Sequence, residues 1–241
     1  MTAKARFEIL VTREPRWVRQ AQRLRYLVFA DELGAKLPPT GFDEDRFDAH
    51  CDHMIVRDRE ADQVVGTYRI LPPKGAEHVG RYHAEHLFDL TLLHPLRSRM
   101  VEMGRACIDA EYRSGTVMLH LWTALARYLI EQRLDFVIGS ASISVADGGH
   151  AAASIYRAAL ARSESPEDLR VFPVRRLAID RLRDTLPLQP PPLLKAYLNL
   201  GAWVCGEPAY DSDFGCADVP VLLPLARMHS RYTRHFLAQA A

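Results

Sequence analysis

Nine residues, Val101-Glu102-Met103-Gly104-Arg105-Ala106-Cys107-Ile108-Asp109, constrain this chain more than any other stretch. Val101, Met103, Ala106, Cys107 and Ile108 are apolar and read as a strand buried in a sheet. Glu102 and Arg105 interrupt that run. A charge inside a sheet costs on the order of several kcal/mol unless it is paired or opens onto a cleft. The fold must therefore supply a place where a carboxylate and a guanidinium are needed on one central strand.

The rest of the chain has the material for a core around such a strand. Of its 241 residues, 48% are apolar and 25% charged, which is ordinary globular composition. The 31 basic residues nearly match the 30 acidic ones, so nothing in the overall charge points to a nucleic-acid coat. Cys51, Cys107, Cys205 and Cys216 are far apart and form no C-x-x-C pair, which predicts reduced thiols in a cytosolic protein. The N-terminal residues lead directly into a strand-like run, with no signal-peptide pattern, and no apolar run reaches the roughly 18 residues of a membrane span. The expected location is the cytoplasm, with peripheral contact at the inner membrane left open.

Periodicity orders the elements. Phe7 to Thr12 reads as a strand. Glu14 to Leu33 has helical spacing through Val18, Ala21, Leu24, Leu27, Val28 and Ala30, with Pro15 in the first turn and Gly34 as a stop. A Pro- and Gly-containing loop from Leu37 to Phe47 turns acidic at Asp43, Glu44 and Asp45, and Asp48 follows. His53 to Arg57 and Gln63 to Leu71 form a hairpin that Pro72-Pro73 ends. Gly80 to Pro95 is irregular. After the central strand come a helix from about Val117 to Arg133, a strand from Phe136 to Ser140, an alanine-rich helix from His150 to Arg162 and a strand-like run from Leu169 to Ile179. Together these predict a mixed sheet with helices on its faces. Beyond the proline-rich Leu186 to Pro192 lie a short helix at Leu193 to Gly201, a turn and apolar strand at Asp211 to Leu225, and a basic helix at Met228 to Gln239. Residues 1–185 are expected to form the core, and 186–241 an extension packed on it.

Several chemistries lose their support. No P-loop, G-x-G-x-x-G or G-x-S-x-G motif is present. His50, Cys51, Asp52 and His53 enter a strand, where neighbours point to opposite faces, so they do not converge on one ion and no metal is expected. His83, His86 and His94 lack a partner cluster. An acidic run is by default a solvated face, but Asp45 and Asp48 flank Phe47 just before a strand and can present two carboxylates to a cation. Arg69 lies inside an apolar strand and Arg25 inside the first helix near Phe29. Each alone reads as an architectural ion pair. Together with Glu102 and Arg105 they predict a buried polar network.

The pattern Arg25-x-x-x-Phe29-x-x-Glu32, Asp45-x-x-Asp48, Val65-Gly66-x-x-Arg69-Ile70-Leu71 and Glu102-x-x-Arg105 resembles the acyl-homoserine-lactone synthases, which belong to the GNAT acyltransferase superfamily. Further stretches resemble the ornithine lipid N-acyltransferases and extend the likeness over nearly the whole chain. These are Glu102 to Cys107, Tyr112-Arg113, Pro191-Pro192-Leu193-Leu194-Lys195-Ala196-Tyr197-Leu198-x-Leu200-Gly201-Ala202, Pro208-Ala209-Tyr210-Asp211-x-x-Phe214-x-x-x-Asp218-Val219-Pro220 and Arg231-Tyr232-x-Arg234-His235-Phe236. Two departures narrow the resemblance. Leu33 to Pro39 lacks the tryptophan usual in lactone synthases, and Tyr112-Arg113-Ser114-Gly115 stands in only partly for an acetyl-CoA pyrophosphate loop, which fits a carrier-protein donor.

The resemblance implies a GNAT-like α/β fold: a mixed, mainly antiparallel central sheet flanked by helices, with a C-terminal extension. It implies transfer of a 3-hydroxyacyl chain from acyl carrier protein, as a 4'-phosphopantetheine thioester, to the α-amine of ornithine, with no permanently bound cofactor. Glu102 is then the expected general base, and Arg105 its partner or a clamp on the substrate carboxylate. Arg25, Phe29, Asp45, Asp48 and Arg69 are expected at the substrates, with the two aspartates facing a side-chain ammonium. Arg113, Lys195, Arg231 and Arg234 are expected to receive the acidic carrier protein, and Arg127 and Arg133 are further candidates. Another amine acceptor (glycine, another amino acid or S-adenosylmethionine) and a non-catalytic acyl-carrier or lipid-binding module remain as rival readings.

Overall fold

A computed structural model of the chain describes residues 6–113 and 115–228. In chain order the elements are β1 (Phe7–Thr12), α1 (Pro15–Tyr26), β2 (Asp52–Asp58), β3 (Gln63–Leu71), α2 (Pro73–Val79), β4 (Phe88–Asp89), β5 (Met100–Ile108) and α3 (Thr116–Glu131). They continue with β6 (Phe136–Ser144), α4 (His150–Ser163), β7 (Phe172–Pro173), α5 (Pro192–Leu200), β8 (Trp203–Val204), β9 (Ala209–Asp211) and β10 (Cys216–Pro224). The chain forms two compact units. Among the described residues, one comprises 6–80 and 103–133, the other 81–102 and 134–228.

In the first unit the strand order is β1-β2-β3-β5. β1 and β2 are antiparallel from Phe7 opposite Asp58 to Thr12 opposite His53, and β2 and β3 are antiparallel with a bulge at Val56/Arg57. α1 packs on β3, and α3 on β2 and β3. Gly66 sits where α3 comes closest: a Cβ there would lie 2.5 Å from Val117 Cγ1. Pro15 occupies the first turn of α1, as its missing N–H allows. The helical spacing read over Glu14 to Leu33 holds, but its last part, Leu27–Glu32, is a π-helix, marked by a bond from the Leu33 N–H to the Val28 carbonyl.

In the second unit β6 and β10 are antiparallel from Phe136 opposite Pro224 to Ser144 opposite Cys216. β8 and β9 both pair with β10. α4 packs on β6 and β8, and α5 on β10. Gly201, at φ +104°, ends α5 where a Cβ would meet the Arg227 carbonyl at 2.6 Å.

Two expected strands change length. β6 runs past Ser140 to Ser144, with Ala141 and Ile143 buried and Ser142 and Ser144 exposed, the alternation of a strand with one wet face. The run Leu169 to Ile179 is not one strand. Phe172–Pro173 pairs with β4 and Arg176 makes a lone antiparallel bridge to Ala209, because the backbone changes partners in between. The Val174 N–H bonds the Leu87 carbonyl, whereas the Leu177 N–H bonds the Pro208 carbonyl, and Pro173 has no N–H to extend a ladder. The basic helix expected at Met228 to Gln239 lies outside the described residues apart from Met228.

Candidate active site

The first unit buries a network of three guanidiniums and three carboxylates. Arg25 is fully buried on the inner face of α1. Its Nε donates to Asp43 Oδ2 at 2.8 Å, its Nη1 and Nη2 donate to the two Asp48 oxygens at 2.9 and 3.0 Å, and Nη2 also donates to the Asp43 carbonyl. Arg69, on β3, donates from Nη1 to Asp45 Oδ1 at 2.7 Å and lies 3.4 Å from Asp48 Oδ1. Arg105, on β5, donates from Nε to Asp43 Oδ2 at 3.1 Å, with Nη2 3.8 Å from Asp45 Oδ2. The acidic loop is folded by its own carboxylates: Asp48 accepts from the Asp45 N–H, and Asp45 from the Phe47 N–H. Phe29, on the π-helical segment, and Phe47 are buried.

The charges respond to this packing. Burial opposes ionisation of Asp48, but Arg25 and Arg69 outweigh it and hold its carboxyl well below the usual range. Burial likewise works against the charge of Arg69, and Asp45 and Asp48 raise its pKa all the same. Arg105 is lowered, first by burial and then by the charge of Arg69. His53, behind Asp48, is pushed down chiefly by burial, so it stays neutral near pH 7. Arg105 also has φ +56° inside a strand. A side chain there is uncommon and costs on the order of 1–3 kcal/mol, so the network holds a distorted point in β5.

Glu102 lies on the same strand, in the second unit. Its carboxylate is buried and accepts two backbone N–H groups, His83 at 2.6 Å and Ala84 at 2.8 Å. His83 Nδ1 stands 3.9 Å from the same carboxylate. The donors open the short 3-10 helix His83–His86, which Tyr82 also ties to β5 by giving its hydroxyl proton to the Met100 carbonyl at 2.6 Å. Two N–H donors take two of a carboxylate's roughly four acceptor positions and fix its plane.

Arg25, Asp45, Asp48, Arg69 and Arg105 are thus brought together. The residue that sequence reasoning passed over is Asp43, which bridges Arg25 and Arg105. It lies in the acidic run already noted, but its neighbour Glu44 faces out to Arg19, and only the folded loop distinguishes them. Among the residues expected at a carrier protein, Arg113 grips Glu32 through two bonds of 2.5 and 2.7 Å, Lys195 is exposed on α5, and Arg231 and Arg234 lie outside the described residues. No disulfide joins the four cysteines, all described and all buried. Among the described residues no group of His, Cys, Asp and Glu is arranged to hold a metal ion, and no helix is long and apolar enough to cross a membrane.

Residues 24–123, which include the whole first network and Glu102, match the family model described as an acetyltransferase (GNAT) domain. The L-ornithine N(alpha)-acyltransferase of Rhodobacter capsulatus is 34% identical over 95% of this chain and 94% of its own length. That of Brucella abortus is 33% identical over 92% of this chain and 86% of its own. The chain belongs to the L-ornithine N(alpha)-acyltransferase family. It is an acyltransferase. Among solved structures, the CoA-dependent acyl-homoserine lactone synthase BjaI superposes with a TM-score of 0.56 at 14% identity, covering 97% of this chain and 88% of that one. An N-acetyltransferase of Lactobacillus plantarum does so with a TM-score of 0.51 at 17% identity, covering 92% and 99%. At that identity the likeness concerns the fold: a GNAT-like mixed α/β arrangement with a large, mostly antiparallel sheet flanked by helices, as the family resemblance implies.

Proposed function

We propose that this acyltransferase moves a 3-hydroxyacyl chain from acyl carrier protein to the α-amine of L-ornithine, giving a lyso-ornithine lipid. The observation that carries the acceptor is the near full-length match to relatives named for ornithine. An α-amine is mostly protonated at pH 7 and must lose a proton to attack. Glu102 is the proposed base, acting directly or through one water. In its favour are its burial on the central strand and the two N–H groups that fix its carboxylate.

In the proposed reaction the neutral amine attacks the thioester carbonyl, the C–N bond forms, the C–S bond breaks, and the carrier thiolate leaves with a proton. Backbone N–H groups of β5 near the distorted Arg105 are proposed to receive the oxyanion. Arg105, braced by Asp43, is proposed as the clamp for the substrate carboxylate, a bidentate match for a guanidinium. Arg25, Asp48 and Arg69 brace this clamp, and Asp45, about a quarter exposed, is the carboxylate of the set within reach of a ligand. Lys195 and Arg113 are proposed to meet the carrier, with Arg113 first releasing Glu32. After transfer the product leaves for the inner membrane, where the enzyme makes peripheral contact.

The test supplies purified enzyme with 3-hydroxyacyl carrier protein or the matching acyl-CoA, and with ornithine, glycine or S-adenosylmethionine, and follows thiol release and product mass. Ornithine with the carrier donor is expected to give the highest kcat/KM. A Glu102→Gln variant is expected to lose roughly 10²–10⁴ in kcat with a preserved fold. Undiminished turnover in that variant removes the base assignment.

A further inference from the structure

The second unit buries a carboxylate that no cation meets among the described residues. Asp218, on β10, is 4% exposed. Its Oδ1 accepts the hydroxyl protons of Ser140 at 2.9 Å and Ser142 at 2.8 Å, and Cys216 Sγ lies 3.5 Å from Oδ2. The other buried aspartates, Asp43, Asp48 and Asp58, each bind an arginine. A buried carboxylate whose partners are only hydroxyls and a thiol is under-compensated in charge.

Register shows where compensation can enter. Asp218 stands opposite Ser142 on β6 and opposite Ala209 on β9, while Cys216 stands opposite Ser144 and Asp211. Opposed residues share a face, so Ser142, Ser144, Asp218 and Asp211 lie on one side of these strands. Ser142 and Ser144 are exposed and Ser140 is half-exposed, so the hydroxyl row is the wet edge of the cluster. Ser140 and Ser142 give their protons to Asp218, which leaves oxygen lone pairs to accept from a ligand. Asp211 adds negative potential from the neighbouring strand and raises the Asp218 carboxyl together with burial, the larger cause. The complementary group is a donor that carries positive charge.

We propose that Ser140, Ser142 and Asp218 form a subsite for a primary ammonium, the ω-ammonium of the amine acceptor. This rests on the reading that the acceptor is a diamino acid. It also assigns the charge-matched first network a different task, since Asp43, Asp45 and Asp48 already face three guanidiniums. Bound there, the ammonium donates to the seryl oxygens and supplies the charge that Asp218 lacks, and the α-amine is left to react.

The experiment compares ornithine with norvaline, which has the same carbon chain and no ω-amine, in wild type, Asp218→Asn and Ser142→Ala. Two readouts are taken: the ratio of kcat/KM values, and calorimetric binding of ornithine, norvaline and 1,4-diaminobutane. Wild type is expected to favour ornithine by roughly 10- to 100-fold, the scale of hydrogen bonds to a charged group. Asp218→Asn is expected to bring that ratio near one, and Ser142→Ala, at an exposed position that tolerates truncation, to lower it in part. A ratio that both variants preserve overturns the subsite, including the case in which turnover of both substrates falls equally because the strands have shifted. Loss of discrimination between 3-hydroxyacyl and plain acyl donors at an unchanged ornithine ratio overturns it in favour of a hydroxyl site. If wild type turns over no ornithine, the functional reading fails, and the binding ratios still decide the subsite.

Discussion

The two units bury carboxylates in opposite ways. In the first, Asp43, Asp45 and Asp48 meet Arg25, Arg69 and Arg105, so three negative charges are matched by three positive ones. In the second, Asp218 meets hydroxyls and a thiol. The first arrangement is matched in charge, with Arg25, Asp43, Asp48 and Arg69 bracing the distorted point of β5 from which Arg105 is proposed to reach the substrate. The second has local polar contacts but, among the described residues, no opposite charge. What differs is the polarity of the groups that the sequence places around a buried acid, guanidiniums in the first unit and hydroxyls and a thiol in the second.

The sharpest way to break this contrast is to remove the cation on which the first network turns. Arg25→Met keeps most of the side-chain volume but leaves Asp43 and Asp48 buried without their main partner. The expected loss is about 3–5 kcal/mol in urea unfolding, the range for stripping one side of a buried ion pair. A loss below about 1 kcal/mol would mean that water reaches these carboxylates and that the network is no brace.

Acid should separate the two units next. His53 is neutral in the fold and has a lowered pKa, so as pH falls below about 6.5 the unfolded chain takes the proton first and stability drops. Asp48 is held ionised by Arg25 and Arg69, so its contribution is full above about pH 4 and is lost as pH falls below that. Asp218 is shifted the other way and opposes the trend. Urea midpoints followed from pH 8 to 3 should fall in two steps, and His53→Gln should abolish the upper one. A single step near pH 4 in both proteins would show that His53 titrates alike in folded and unfolded chains.

The same contrast explains what the sequence made legible. Strand β5, helix α1 and the hairpin β2–β3 follow from periodicity, and charges inside apolar runs flagged Arg25, Arg69, Glu102 and Arg105, because a misplaced charge is visible one residue at a time. Asp43 could not be told from Glu44, since which of these neighbouring acids turns inward depends on loop hydrogen bonds such as the Asp43 N–H to the Gln22 carbonyl. Asp218 stood in a recognised motif without a role, because its meaning comes from the β6–β10 register that sets it opposite Ser142 across 76 residues of chain. The strand read at Leu169 to Ile179 failed because its backbone finds partners on two different segments, a property of tertiary structure alone.

The smallest effect tests the contrast from the receptor side. Asp218→Asn removes a buried charge that meets no cation among the described residues, while the amide oxygen still accepts from Ser140 or Ser142. At pH 7 the variant should be as stable as wild type or more stable by up to about 1 kcal/mol, the reverse of the loss at Arg25. The sign follows from proton binding. With a raised folded pKa, the native state holds the proton more tightly than the unfolded chain, so wild-type stability falls as pH rises from about 4 through the folded value. The advantage of the asparagine variant should therefore be largest at neutral pH and close below about pH 4, where the carboxyl is protonated in both states. Saturating ornithine should reverse the order by stabilising only the wild type. If Asp218→Asn instead costs several kcal/mol at neutral pH and ornithine shifts both proteins equally, Asp218 ties β10 to β6 as structure, and the two units bury their acids for the same purpose.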